Sequence, residues 1–431
     1  MRGFLSILPL CHVFFYLPLA EASTFSWVKG LADVELKNPD LAAARASVEA
    51  AHSQLKSAYG VLFPQINAQM AYSESNSATS QAGFLAVNAT QVYSASLSVS
   101  QNVFNGFQDF SKIEQSRLSL RGAEIQFQSV ASKVSYEVRA AFTQLNFAQR
   151  SVHLAQNILA RRKQNSELVQ LRFEGGLENR GSVLLSEAYL HQAGFNLSQA
   201  KHQRQLSQQQ WAKVTGTTDL NESVELTFTD AVSLTPLPLQ QELNRLATEN
   251  PEYLLALNQE YSANASAQIS QAALLPTLSM SGQTAKQGTQ WFPQSDRWSV
   301  GITFTVPLFS GLRDYQIWRA SQFSIQAAQA SRSSILDQVK VRLLQGYWSY
   351  SETIEKLTVD RAFLDAANAR AEIARSKYES GLISFEDWDL IENDLILRER
   401  SELQSRKDRD LAEANWRMDA GKSEFTLGQV K

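Results

Sequence analysis

The sequence predicts a mainly α fold with a β-barrel portion, built as two structural repeats, each a membrane-spanning β-hairpin followed by long coiled-coil-like helices. Three observations predict it. The chain matches itself at a nearly constant spacing, strand-type alternation occurs as one hairpin per half, and a long proline-free helical pattern follows each hairpin.

The repeat is read from Asn38-Pro39-Asp40 and Asn250-Pro251-Glu252, and from Pro64 and Pro276, both 212 positions apart. Beyond the hairpins the spacing is 205, pairing Phe104-Asn105-Gly106 with Phe309-Ser310-Gly311 and Trp211 to Gly216 with Trp416 to Gly421. The change falls where residues 74–90 are rich in Ser, Ala, Asn and Thr, which predicts a loop.

Residues 1–22 read as a secretory leader: Arg2 opens it, an apolar run follows, and Ala20-Glu21-Ala22 supplies a small-x-small cleavage signal. Cys11, the only cysteine, lies inside that leader, so a mature chain without thiol, disulfide or lipid is expected. The first repeat then occupies 23–216, with a hairpin at about 64–104, a long helix at about 107–173 and a return helix at about 182–214. A linker at 217–240 contains Pro236 and Pro238. The second repeat occupies 241–421, with a hairpin at about 276–309, a long helix at about 312–379 and a return helix at about 384–419, and 422–431 is a tail.

In the hairpins, Tyr93, Ala95, Leu97, Val99 and Val103 alternate with serines and Asn102, and Trp298, Val300, Ile302, Phe304, Val306 and Leu308 alternate with Arg297, Ser299, Gly301, Thr303 and Thr305. A soluble sandwich gives the same alternation with its apolar face inward. Strands of about 10 residues instead suit a tilted bilayer crossing, and Tyr93 and Trp298 stand where an aromatic girdle would lie. Outer-membrane lipid is therefore an expected contact. Four strands cannot close a barrel, and an open edge in lipid leaves backbone groups unpaired, so further copies of the chain must supply strands.

The long helices carry a seam at spacings of four and three: Val130, Val134, Val138, Ala141 and Leu145 in one, Val339, Leu343, Tyr347, Tyr350, Ile354 and Leu357 in the other. Each rod of about 100 Å is expected to end at a glycine turn, Gly175-Gly176 or Gly381, followed by a return helix capped by Ser182 or Ser384.

Several classes are excluded. With 40 basic and 43 acidic side chains there is no field for nucleic acid. Gly421-Lys422-Ser423 lacks the earlier glycine of a phosphate loop, since Trp416 stands there. His52, His153, His191 and His202 have no metal-site spacing, and no catalytic signature is present, so neither enzyme nor cofactor is expected.

The repeat plan, together with Phe173-Glu174-Gly175-Gly176-Leu177 and Tyr378-Glu379-Ser380-Gly381-Leu382, resembles the TolC-like outer membrane efflux family. The resemblance implies a homotrimer with a 12-stranded barrel and an α-helical periplasmic tunnel, passive and gated at its periplasmic tips. It also implies partners: a periplasmic adaptor protein and an inner-membrane pump or ABC transporter, for efflux or type I secretion. Phe173, Gly175, Gly176, Leu177, Tyr378, Gly381 and Leu382 are then candidate docking positions. Asp387 falls where the family's first acidic ring is expected, with Glu386 and Asp389 as the alternatives. The chain departs from the family at Leu390, Ser182 and Ile383, so its latch must differ. Acids in a first turn also serve simply as helix caps, and Ser384 to Asp387 has capping-box spacing. A stand-alone porin and a secreted coiled-coil protein remain the competing functions.

Overall fold

The computed structural model describes residues 24–25, 27–81, 84–216, 225–226, 239–291 and 294–425. The leader, most of the 217–240 linker and the end of the tail lie outside the described residues. In chain order the first repeat contains β1 (Thr24–Phe25), α1 (Trp27–Lys37), α2 (Pro39–Ala58), β2 (Gln65–Gln81), β3 (Phe84–Asn105), α3 (Gln108–Glu174) and α4 (Arg180–Thr215). After β4 (Glu225–Leu226), the second contains α5 (Leu239–Glu249), α6 (Pro251–Ala272), β5 (Thr277–Gly288), β6 (Ser295–Thr305), α7 (Arg313–Glu379) and α8 (Phe385–Asp419).

The repeat is visible in matching local chemistry. Asn38 and Asn250 cap α2 and α6 through side chains that accept from Asp40 and Glu252 backbone N–H groups, and proline follows each cap, where its missing N–H costs nothing. The amides of these same asparagines donate to the carbonyls of Val214 and Asp419, tying each short helix to the end of its repeat's return helix. Each hairpin turns into its rod through a left-handed pair, Gly106-Phe107 and Gly311-Leu312. At Gly106 a Cβ would lie 2.8 Å from the Ala272 carbonyl, so the corner admits only glycine.

β2, β3, β5 and β6 form one antiparallel sheet in that order, leaving β2 and β6 with free edges. The register places Tyr72, Tyr93, Leu97, Thr284 and Trp298 on one face with Val99, Val300, Met280 and Ile302. A bulge at Val103 brings Phe104 opposite Leu278 on that same face. Trp298, Val300, Ile302 and Phe304 are all exposed in the single chain. No described helix is long and apolar enough to cross a membrane.

Two expectations are corrected. Residues 74–90 do not form a loop throughout: β2 and β3 pair residue by residue out to Gln81 opposite Phe84. Ser, Asn and Thr marked polarity, but a backbone ladder needs no buried side chain, so polarity there says nothing about pairing. The seven-residue difference between repeats is thus a longer ribbon. The cap of α4 is Asn179 rather than Ser182, whose backbone N–H donates to Asn179 Oδ1 at 3.0 Å.

The helices pack as a row, α4 on α3, α3 on α8, α8 on α7, with α2 and α6 filling in beside the upper part of the rods. The main core lies there: Val34, Leu41, Val48, Val134, Val138, Leu145 and Trp211, with Phe425 of the tail inserted among them. A matching smaller core joins Leu246, Val339 and Leu343.

Candidate functional site

Both rods end in the same way. Leu177 N–H donates to the Arg172 carbonyl and Gly176 N–H to that of Phe173; Leu382 and Gly381 repeat this with Lys377 and Tyr378. This double bond pattern requires a left-handed residue, supplied by Gly176 (φ 72°) and Gly381 (φ 76°). Gly175, at φ −77°, is an ordinary cap. The turns lift Leu177 and Leu382 to the ends of the molecule, 69% and 73% exposed.

The side chains behind these identical turns differ. Tyr378 is 1% exposed, stacked on Trp388 at 4.4 Å and packed with Phe385, Val169, Val183 and Ala374. It belongs to the joint between the two hairpins and offers no docking surface, whereas its repeat equivalent Phe173 is partly open. The Tyr378 hydroxyl donates to Glu178 at 3.0 Å. Arg172 lies over the Tyr378 ring at 4.8 Å and donates to the Tyr378 carbonyl at 2.8 Å. Burial, then the hydrogen bond to Glu178, pushes the Tyr378 phenol well above the usual tyrosine range, which keeps it a donor. Arg172, Tyr378 and Glu178 form a clasp between the tips.

The three candidate gate acids separate clearly. Ser384 caps α8: its hydroxyl accepts from the Asp387 backbone N–H at 3.1 Å and donates to the Asp387 carboxylate at 2.9 Å. Asp387 and Glu386 are exposed. Asp389 points the other way, buried and bonded to Arg162 at 2.8 Å, with Asn393 donating to its second oxygen at 2.9 Å. Arg162 also sits over the Tyr189 ring at 4.6 Å. One turn higher, Arg161 bonds Glu392 at 3.0 Å and grips Glu399 with two 2.7 Å bonds. These bonds hold α8 against α3, so Asp389 is a structural carboxylate in this protomer. Leu390, beyond Asp387, is exposed.

The structure therefore brings Tyr378 together with the tip glycines but withdraws it from the surface, and it leaves Leu177, Leu382, Asp387 and Glu386 open. Sequence reasoning missed Arg161, Arg162, Arg172, Glu178, Tyr189 and Trp388. Phe385 and Trp388, three apart at a helix start, were the legible signal of a buried face. The arginines had none, because their partners lie more than 200 positions away. Among the described residues no group of three potential metal ligands is present. At the sheet, Tyr93 joins Tyr72 at 4.9 Å and Trp291 at 5.7 Å, while Trp298 stands exposed beside Thr284 on the same face.

The family model described as outer membrane efflux protein matches residues 31–217 and 243–422. The fold is similar to that of CusC, with a TM-score of 0.83 at 15% identity over 98% of this chain and 99% of that one. It is also similar to a membrane protein from Pseudomonas aeruginosa (0.80, 17%, 92% and 90%) and to VceC from Vibrio cholerae (0.78, 18%, 92% and 96%). At these identities the likeness is one of fold. No curated relative matches in sequence. Most of the chain, both repeats included, falls within the matched blocks, and the chain belongs to the outer membrane efflux protein family.

Proposed function

We propose that three copies of this chain form the exit duct of a tripartite efflux or type I secretion assembly, gated at its helical tips and docked there by a periplasmic adaptor and an inner-membrane pump or ABC transporter. Family membership already makes the chain an outer-membrane channel protein and not an enzyme, and it removes the secreted coiled-coil reading. The observation that carries the finer reading is the pair of unfinished flanks: β2 and β6 have free edges, and α4 and α7 end the helical row. An open sheet edge in lipid costs several kcal/mol per unpaired group, so the edges must be closed by other copies. One copy's β6 would meet the next copy's β2, a head-to-tail contact that closes into a ring.

In this reading Leu177 and Leu382 contact the adaptor. Asp387, with Glu386 beside it, lines the narrowed end and favours cations. The clasp of Arg172, Tyr378 and Glu178 holds the two tips of a protomer together and must loosen for the duct to open. A stand-alone porin has no use for rods of about 100 Å. The test is photo-crosslinking from Leu177 and Leu382 in intact cells, followed by mass spectrometry. Capture of a periplasmic adaptor and its pump supports the duct; capture of this chain alone, with the protein folded and expressed, favours the porin.

A further inference from the structure

The two helices that end the row carry complementary seams. α4 packs along its length on α3, with α1 at its upper end, and α7 packs on α8, with α5 and α6 higher up. On the opposite side of α4, Leu184, Ala188, His191, Phe195, Ser198 and His202 recur at spacings of four and three, and all are exposed. On the opposite side of α7, the exposed Trp348, Glu352, Glu355, Val359, Ala362 and Ala366 do the same, and Ala369 and Ile373 continue the pattern toward the tip. Alternating spacings of four and three are the pattern of a helix that expects a second helix across from it. Phe195 is the largest side chain of the α4 seam and is 64% exposed.

The height of each seam position is fixed by geometry within the chain. The two tips are level, because Arg172 near the end of α3 reaches the carbonyls of Tyr378 and Glu379 near the end of α7. α4 begins at Arg180 and α7 ends at Glu379, so positions equally far from those residues share one height. Phe195 is thus level with Leu364, about 22 Å above the tip. Leu364 is itself flanked by Ala362 and Ala366, which face away from α8. A closed ring relates its copies by rotation with no rise along the axis. Any residue therefore meets its counterpart in the next copy at the height it has in this one.

We infer that α4 of one copy packs against α7 of the next with Phe195 as a knob in the hole between Ala362 and Ala366. The inference rests on the ring reading above and gives that ring its register. The same heights place Leu184 between Ile373 and Ser376. Above Val359 the seams become polar, with Gln205 and Gln209 level with the stretch holding Glu352 and Glu355 below the exposed Trp348, so the continuous apolar contact is confined to the lower part of the wall. The seam lies on the same flanks as the free edges of β2 and β6, first repeat against second, so one head-to-tail contact satisfies sheet and helices together.

The experiment uses the full chain in a Cys11→Ser background, in which introduced cysteines are the only thiols. Phe195→Cys is combined with Ala366→Cys, and separately with Ile373→Cys and Glu355→Cys, each nine positions from Leu364 and about 13 Å off in height. Oxidation in native outer membranes is followed by denaturing electrophoresis, and native mass in detergent is measured in parallel. The expected result is that most of the Phe195/Ala366 chains run as covalent oligomers, at least ten-fold more than either displaced pair. A trimeric native mass with crosslinking only at a displaced pair, or at none, overturns the seam and leaves the ring standing. A monomeric mass for the unsubstituted protein overturns the ring and the seam with it.

Discussion

The two helical hairpins share a backbone and differ in chemistry. α3 and α7 are both 67 residues long and end in the same double-bonded glycine turn. The return helices diverge: α4 has five charged side chains, Arg180, Glu187, Lys201, Arg204 and Lys213, in 36 residues, whereas α8 has seventeen in 35. Beyond its exposed first turn, α8 commits much of its charge within the protomer. Asp389, Glu392, Glu399 and Glu413 bond Arg162, Arg161 and Arg139 of α3. α4 is a Gln- and Ser-rich helix with exposed Leu184, Phe195 and Leu206 and one main helical neighbour. Duplication kept the plan of the backbone, and divergence assigned one return helix to hold the protomer and left the other free to meet a neighbour.

That division is broken most severely at Arg162. Arg162→Ala strands Asp389 in a buried site, and a loss of about 3–5 kcal/mol is expected, read as a lowered helical melting temperature in detergent. Replacing Arg162 and Asp389 together by leucine should recover most of it. No single change at an exposed α4 position should approach this loss, and one that did would remove the contrast between the helices.

The shared backbone is sharpened by Gly176→Ala and Gly381→Ala. Neither site is sterically closed, since the nearest atom to a Cβ at Gly381 is Arg172 Nη2 at 3.7 Å and none lies within 4 Å at Gly176. The cost is then the left-handed backbone alone, about 1–2 kcal/mol, and should be equal at the two tips in the same melting assay. Unequal costs would show that side chains, not the turn, set tip stability.

Tyr378→Phe keeps the stacking on Trp388 and removes the bond to Glu178, a loss of about 1 kcal/mol. Single-channel conductance should rise, because the clasp is weakened, while Phe173→Tyr at the equivalent position should leave it unchanged. Smallest in stability is Asp387→Ala, which should weaken block by multivalent cations in bilayer recordings. Unchanged block would take Asp387 out of the gate.

Much of this was legible from residue order alone. Asn38-Pro39 and Asn250-Pro251 announced the repeat, and the structure added that they start helices, where cap and proline act on the next few residues. Gly176 and Gly381 announced the turns, because a positive φ is a local demand. Alternation gave the strands and the four-three seams gave the rods, since both periods follow from backbone geometry. The apolar face of the sheet followed from the same alternation, and so did the expectation that further copies supply strands.

Tertiary structure alone decided the rest. Tyr378 and Phe173 stand in matching motifs, yet one is buried beneath a clasp and the other lies at the surface, because only the second tip receives Trp388 and Phe385. Asp387 and Asp389 are two positions apart on one helix, and the 200° that separates them sends one to solvent and the other to Arg162. The polar ribbon beyond Glu74 pairs through backbone groups that composition does not report. A sequence specifies what each residue requires locally; which arginine reaches which carboxylate across more than 200 positions is set by how the rods lie side by side.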